Sequence, residues 1–181
     1  MYIDSDSALV NDCKRGDPEA LRSLVSRYER PVYNAAYRMM GNRHDAADVT
    51  QAAFLKVFEH LDKYDSRYKF FSWIYRITIN ESIDQLKRRG NQQELDDQQV
   101  SNERGPEDMA VASALVDSVQ VVLMELQHDY RAVIVLRHFG EFSYQQISEI
   151  LQIPEKTVKS RLYSSRQVMK QKLCEQGIIS S

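Results

Sequence analysis

Apolar residues recur at intervals of three and four along most of the chain, which is the period of an amphipathic α-helix. The clearest run lies between residues 18 and 40. Its apolar members are Leu21, Leu24, Val25, Tyr28, Val32, Ala35, Ala36 and Met39. Asp17 is a typical N-cap, Pro18 suits the first helical position, and Gly41 suits the end of the helix. Pro31 lies inside the run and is expected to kink this helix.

Five further segments show the same helical period. They are a short segment from Leu9 to Cys13 and residues 45–64, 72–89, 115–127 and 129–139. The chain shows no sustained alternation of apolar and polar residues, and it holds only 4 prolines and 6 glycines. The pattern therefore predicts an all-α protein.

Residues 142–167, FSYQQISEILQIPEKTVKSRLYSSRQ, predict two short helices joined by a tight turn. Ser143 is followed three residues later by Gln146, a capping box that marks a helix start. Pro154 interrupts the helical run, and the second helix begins there. This second helix has an apolar face and a polar face. The apolar face holds Val158, Leu162, Ser165 and Met169. The polar face holds Lys159, Ser160, Tyr163, Ser164 and Gln167.

A helix with these two faces is what DNA recognition requires, because one face docks on the preceding helices while the other enters the major groove. Lysine, serine and glutamine side chains bond base edges or phosphates. Arg161 and Arg166 flank the polar face and are better placed for phosphates. A solvated basic helix on a small bundle is the alternative. The turn length, the capping box and the basic excess together favour DNA binding.

Charge is distributed unevenly and divides the chain in two. Residues 67–90 carry six basic side chains against two acidic ones, and residues 154–172 carry six against one. Between them, residues 91–109 carry six acidic side chains against one arginine and few apolar residues. Such a composition is typical of a linker. We predict two small helical domains, at residues 1–90 and 112–181, joined by a flexible acidic linker at residues 91–111.

Composition excludes several classes of function. The formal net charge is −2 at pH 7, so DNA binding has to come from local patches. Cys13 and Cys174 lie outside any Cys/His cluster; we therefore predict no metal, no cofactor and reduced thiols. No apolar run approaches the roughly 18 residues of a membrane span, and the polar N-terminus is unlike a signal peptide. We expect a cytoplasmic protein without membrane insertion.

Two features of the first half suggest binding surfaces. In the segment 45–64, Leu55 stands on an otherwise polar face, although a single exposed leucine is ordinary. Residues 64–80, YDSRYKFFSWIYRITIN, combine six aromatic residues with three basic ones. Rings that stack on bases and cations that hold the backbone are typical of single-strand binding, while burial in a helical core is the alternative for several rings. The basic cluster QLKRRG at 85–90 suits phosphates or plain solvation.

Four segments, in order, resemble regions of extracytoplasmic-function (ECF) sigma factors, the smallest class of bacterial transcription initiation factors. Residues 16–42 are similar to region 2.1. The stretch DAADVTQAAFLKVF at 45–58 resembles region 2.2, whose usual form is D-x-x-D-x-x-Q-x-x-F. Residues 70–89 are similar to the joined regions 2.3 and 2.4, and residues 142–166 to region 4.2. The likeness covers nearly the whole chain.

The resemblance implies a protein that is not an enzyme, binds core RNA polymerase and directs it to promoter DNA, commonly under an anti-sigma factor. It implies that one helix docks on the β′ clamp helices through Asp45, Asp48, Gln51 and Leu55. The β flap would bind region 4. Ala52 stands where family members commonly carry glutamate, so the β′ contact is expected to be weaker or tuned.

The resemblance also implies two sets of DNA contacts. For the minus-ten element they are Tyr64, Arg67, Lys69, Phe70, Phe71 and Asn80, with Trp73 expected in the core. For the minus-thirty-five element they are Arg137, Lys159, Ser160, Arg161, Tyr163, Ser164 and Arg166. About 20 linker residues span up to ~70 Å. Promoter elements one and a half to two turns apart lie roughly 50–70 Å apart, so the linker is long enough.

Three other interpretations compete with this one. A two-domain transcriptional regulator needs a ligand pocket or phospho-acceptor domain, and the first half shows no strand–helix alternation for one. An enzyme needs a nucleophile motif or a phosphate loop, and the four histidines, His44, His60, His128 and His138, are scattered. A protein-binding module that mimics a sigma factor without promoter activity is the third. Transcription with core polymerase distinguishes all of them.

Overall fold

The computed structural model describes residues 3–95 and 112–179, and these residues form helices and connecting loops without a β-strand. Its α-helices, in chain order, are α1 Ile3–Lys14, α2 Pro18–Met40, α3 Arg43–Glu59, α4 Phe70–Leu95, α5 Ala112–Glu125, α6 His128–Ile134, α7 Tyr144–Leu151 and α8 Glu155–Glu175. A 3₁₀ turn at Leu61–Lys63 follows α3, and a π-helical turn at Val135–Phe139 continues α6. The predicted all-α fold is confirmed.

Helix α2 begins and ends where its sequence signals predict. The Asp17 carboxylate accepts a hydrogen bond from the Glu19 backbone N–H at 2.9 Å. Gly41 adopts φ +81° and donates its N–H to the Tyr37 carbonyl at 2.9 Å. The helix continues through Pro31 over its full 23 residues.

Other helix boundaries differ from the pattern-based expectation. Helix α3 ends at Glu59, because the chain tightens into the 3₁₀ turn instead of continuing to residue 64. Helix α1 is longer than the segment Leu9 to Cys13. Helix α4 runs on to Leu95 and so includes the first residues of the predicted linker. The rest of that linker, residues 96–111, lies outside the described residues.

Helices α1–α4 form an N-terminal unit and α5–α8 a C-terminal unit, each around buried apolar side chains. The fully buried side chains of the first unit include Leu24, Met39, Phe70, Ile74 and Ile79. Those of the second include Leu123, Leu136, Phe142, Ile147, Ile150 and Leu162. Burying each such side chain contributes roughly 1.5–3 kcal/mol relative to exposure. Leu24, Met39 and Leu162 belong to the stripes that the helical period predicts, whereas Phe70 is a predicted DNA contact that lies in the core.

The two units pack against each other at the C-terminal end of α2, where buried Arg131 of α6 forms the centre of the junction. Its guanidinium donates to the backbone carbonyls of Met39, Leu123, Met124 and Leu126, which lie on both units. Carbonyls at helix C-termini have no intrahelical partner, so a single side chain satisfies the ends of both α2 and α5. Burial lowers the pKa of Arg131 to about 10.

Aromatic rings and a glycine complete this junction. The ring of Phe142 lies 5.0 Å from that of Phe71 and 4.9 Å from that of Tyr75, centroid to centroid. A Cβ atom at Gly41 would displace the Met124 thioether, and the positive φ of this position favours glycine. The two units therefore share one continuous apolar core.

Candidate DNA and polymerase interfaces

The turn between α7 and α8 is fixed by local hydrogen bonds. The Ser143 hydroxyl accepts from the Gln146 N–H at 3.2 Å, and the Gln146 side-chain oxygen accepts from the Ser143 N–H at 2.9 Å. The predicted capping box is therefore present. Gln152 ends α7 in the left-handed conformation, φ 53°, and Pro154 directly precedes α8. These features form a helix-turn-helix in which α8 is the second helix.

Helix α8 divides into two faces as the sequence predicts. Val158, Leu162 and Ser165 are buried, and α8 packs against both α6 and α7. The polar face points to solvent, and its exposed side chains are Lys159, Ser160, Tyr163 and Gln167. Tyr163 keeps 68% of its surface exposed. Because α8 docks through its apolar face, the exposed ring of Tyr163 on the opposite face is available to a binding partner.

Acidic neighbours hold two of the predicted cations. The Lys159 ammonium lies 2.7 Å from the Glu155 carboxylate one helical turn earlier, and this partner raises the pKa of Lys159. The Arg161 guanidinium lies 3.0 Å from the carboxylate of Asp129 on α6. Arg161 is therefore directed toward the supporting helix, whereas Lys159 stays on the polar face.

Two further cations are held by groups outside α8. Arg137 donates from Nη1 to the Phe142 carbonyl at 2.8 Å. The Nε–H of Arg166 donates to Nε2 of His138 at 3.3 Å, which requires His138 to be neutral at that nitrogen. Burial and the nearby Arg166 and Arg137 charges lower the pKa of His138. The predicted minus-thirty-five residues thus lie on α8 and the turn that supports it, with Ser164 half-buried among them.

The predicted minus-ten residues divide into buried rings and exposed polar groups. Tyr64 and Phe70 are buried, and each lies within 6 Å of Trp73, centroid to centroid. Arg67, Lys69 and Asn80 are exposed and Phe71 is half-buried. Tyr64 and Phe70 are therefore core residues in this conformation, and their rings are not open to a base.

Tyr68 is one of the six aromatic residues of this segment but is not among the predicted contacts, and it is the ring that this loop exposes most, at 54%. The Tyr64 hydroxyl donates to the Tyr68 carbonyl at 2.5 Å. In the same loop, Arg67 donates from Nη2 to the Asp65 carboxylate at 2.6 Å. The buried ring thus positions a loop that presents one exposed ring and exposed cations. Tyr68 lies in a loop without helical period, so no periodic signal distinguishes it from the rings beside it.

Three of the four predicted polymerase contacts share one surface. Asp48, Gln51 and Leu55 are exposed on α3, and Leu55 keeps 55% of its surface exposed. Gln51 and Leu55 line a groove of about 630 Å³ between α2 and α3, whose apolar walls include Phe54 and Phe58. An exposed leucine at the edge of an apolar groove suits a helical partner.

The fourth predicted contact, Asp45, lies elsewhere. Its carboxylate is buried and accepts from both terminal nitrogens of Arg89 and from the Asn42 amide. Burial alone would raise the pKa of Asp45, but the hydrogen bonds from Arg89 and Asn42 outweigh it and leave the pKa below its ordinary value. Asp45 therefore joins the start of α3 to α4 and is not on the exposed face.

We expect Asp45→Asn to lower the free energy of unfolding by about 1–3 kcal/mol at pH 7, because Arg89 loses a charged acceptor. Since the folded pKa lies below the unfolded one, the carboxylate stabilises the fold above the unfolded value of 3.8. This contribution disappears as pH falls through the folded pKa. Urea unfolding of both proteins between pH 7 and pH 3 checks the sign. A gap that widens toward low pH would contradict the assignment.

The described residues hold no group of three or more His, Cys, Asp or Glu side chains that could bind a metal ion. Within the same part of the chain, no helix combines the length and apolar character of a membrane span.

Fold and surfaces together define a helix-turn-helix protein of two packed helical units. Residues 24–92 match the family Sigma-70 region 2, and residues 117–169 match Sigma-70, region 4. The chain is 34% identical over 177 residues to the ECF RNA polymerase sigma factor SigW of Bacillus subtilis, covering 91% of this chain and 94% of that protein. This chain belongs to the ECF sigma factor family, whose members are non-enzymatic transcription initiation factors.

Other similarities agree with this family. The ECF RNA polymerase sigma-E factor of Haemophilus influenzae is 30% identical, over 93% of this chain and 95% of that one. Among solved structures, CnrH in complex with the cytosolic domain of CnrY matches with a TM-score of 0.72 and 24% identity, covering 94% of this chain and 97% of that one. The sigma factor RpoE of Bartonella quintana, in complex with the anti-sigma factor NepR, has a TM-score of 0.68 at 20% identity, covering 84% and 95%. These structures support the fold.

Proposed function

We propose that this sigma factor uses the polar face of α8 to recognise the minus-thirty-five element in duplex DNA. The observation that carries this proposal is the division of α8. Val158 and Leu162 fix the helix on its support, while Lys159, Ser160 and Tyr163 project into solvent. Lysine and serine supply donors for base edges and phosphates, and the tyrosine ring offers apolar contact to a thymine methyl group.

For the minus-ten element, we propose that the loop before α4 engages the unpaired non-template strand. Arg67 and Lys69 supply exposed charge for phosphates, and Tyr68 supplies an exposed ring. A base that leaves the stack costs a few kcal/mol. Stacking on a ring recovers roughly 1–3 kcal/mol for each base. Strand opening would then be driven by binding, without nucleotide hydrolysis.

Contact with both promoter elements at once requires the two units to separate. Elements one and a half to two turns apart lie roughly 50–70 Å apart. In the packed arrangement Phe142 covers part of Phe71, a predicted minus-ten residue. Residues 96–111 span up to ~55 Å when extended, so the connection reaches the lower part of this range.

For RNA polymerase, we propose that the β′ clamp helices dock on the α3 face that carries Asp48, Gln51 and Leu55. The exposed leucine and the adjacent apolar groove support this docking. The β flap would contact the C-terminal unit. An anti-sigma factor seated in the same groove would exclude polymerase. RpoE of Bartonella quintana was solved in complex with the anti-sigma factor NepR. This sigma factor would act in the cytoplasm.

Promoter binding by the reconstituted holoenzyme tests the role of α8. We expect Tyr163→Ala to weaken binding to a selected promoter by about tenfold, as expected for a lost base contact, with little effect on unrelated DNA. Arg166→Ala should weaken binding to both DNAs and reduce the salt slope by about 1, as expected for a lost phosphate contact.

Gln171→Ala is the matched control, since Gln171 lies on the same helix and donates to Glu175 at 2.8 Å. It should leave both affinities unchanged. Equal loss from Tyr163→Ala on selected and unrelated DNA would contradict base recognition by this face.

A further inference from the structure

The ring of Tyr144 lies next to two cations of the proposed minus-thirty-five surface. The Arg137 guanidinium carbon is 5.1 Å from the ring centroid, and the Lys159 ammonium nitrogen is 5.8 Å from it. Cations within about 6 Å of an aromatic face are attracted by its electron density. Arg137 belongs to the π-helical turn and Lys159 to α8, so one ring contacts cations from two separate elements.

The position of this ring is itself fixed. Tyr144 is the first residue of α7 and directly follows Ser143, whose capping box defines the start of that helix. The side chain is half-buried and packs against the apolar core. The backbone and one side of the ring are therefore anchored before any DNA is present.

Each cation has a second anchor on its other side. Arg137 donates to the Phe142 carbonyl at 2.8 Å, and Lys159 pairs with Glu155 at 2.7 Å. Long cationic side chains lose considerable rotamer freedom when they bind a phosphate. Two anchors restrict that freedom in advance.

We propose that Tyr144 is a positioning residue for minus-thirty-five recognition, acting through Arg137 and Lys159. The aromatic face, and not the phenol hydroxyl, orders the two cations for DNA. This inference rests on the proposed role of the α8 surface. The first helix of the helix-turn-helix thus helps to arrange contacts that the second helix makes with DNA.

Holoenzyme binding to a selected promoter duplex, measured at several salt concentrations, tests this proposal. Tyr144→Leu removes the ring, whereas Tyr144→Phe keeps the ring and removes the hydroxyl. We expect Tyr144→Leu to raise Kd roughly fivefold to tenfold, in line with two lost cation–π contacts, and to reduce the salt slope by about 1. Tyr144→Phe should stay within about twofold of the original protein.

A second background separates positioning from a structural role. In the Arg137→Gln, Lys159→Gln double variant, Tyr144→Leu should cause no further loss, because the groups it acts through are absent. Thermal unfolding of each variant checks folding. If Tyr144→Leu does not fold, Tyr144→Gln takes its place with the same expectations, since glutamine suits a half-exposed helical position.

Three results would overturn the inference. They are an equal loss from Tyr144→Phe and Tyr144→Leu, a full further loss in the double-variant background, or unchanged binding by Tyr144→Leu. The double variant also distinguishes this inference from the proposed function. If Arg137→Gln, Lys159→Gln itself binds promoter DNA normally, the α8 proposal fails; if it binds weakly and Tyr144→Leu binds normally, only the positioning role fails.

Discussion

Leu55→Glu is expected to reduce run-off transcription by roughly 30- to 100-fold at limiting core polymerase, with the fold intact. Leu55 is 55% exposed, so an acidic side chain at this position costs little in the free protein. In the complex the same carboxylate would be buried beside the apolar groove, where an unpaired charge is strongly disfavoured. The loss corresponds to about 2–3 kcal/mol of binding free energy, the size expected for a central interface residue.

Leu21→Glu is the matched control for this substitution. Leu21 is another partly exposed leucine, at 37%, but it lies on α2 outside the lining of the groove. It should leave transcription within about twofold, and excess core polymerase should partly restore the Leu55→Glu protein. Full transcription by Leu55→Glu, or equal loss in both variants, would contradict the assignment of the α3 face.

Arg131→Met is expected to lower the free energy of unfolding by about 3–5 kcal/mol, because the guanidinium is buried and donates to four backbone carbonyls. The carbonyls of Met39, Met124 and Leu126 lose this donor, while that of Leu123 keeps the Leu126 backbone N–H at 3.2 Å. Methionine replaces much of the side-chain volume, so the loss reports hydrogen bonding more than a cavity. Urea unfolding of the full chain measures it.

Two comparisons make this result specific. Arg22→Ala removes an arginine whose pair with Glu19 is exposed on both sides, and it should cost less than about 1 kcal/mol. Gln120→Ala removes a side chain at the junction that donates to the Tyr37 and Arg38 carbonyls at 3.3 and 3.4 Å and accepts from the Arg38 guanidinium at 2.9 Å. An intermediate loss is expected. An Arg131→Met protein as stable as Arg22→Ala would contradict the role of this guanidinium.

Local signals made part of this structure predictable. The Asp17 cap, the Gly41 end and the Ser143–Gln146 capping box each depend on residues within a few positions. The division of α8 follows from its period, because buried and exposed positions alternate with the helical turn. For the same reason Leu55 is exposed where the sequence places it.

Contacts between distant residues set the limits of prediction. Asp45 pairs with Arg89, 44 residues away. This pairing keeps Asp45 off the exposed face of α3 that carries Asp48, Gln51 and Leu55. A helical period cannot tell which aromatic residues around the start of α4 are buried, so it does not distinguish buried Tyr64 and Phe70 from exposed Tyr68. The contact of Tyr144 with Lys159 depends on how two helices meet, which no single-helix pattern contains.

Run-off transcription by the full chain with purified core polymerase, on a library of promoter fragments, tests the central claim most directly. The account predicts that the chain associates with core polymerase and that the mixture transcribes a sequence-related subset of fragments, which share two elements with fixed spacing. Core polymerase alone should not select them. A chain that fails to bind the core enzyme, or that binds it without selecting any promoter, would contradict the account.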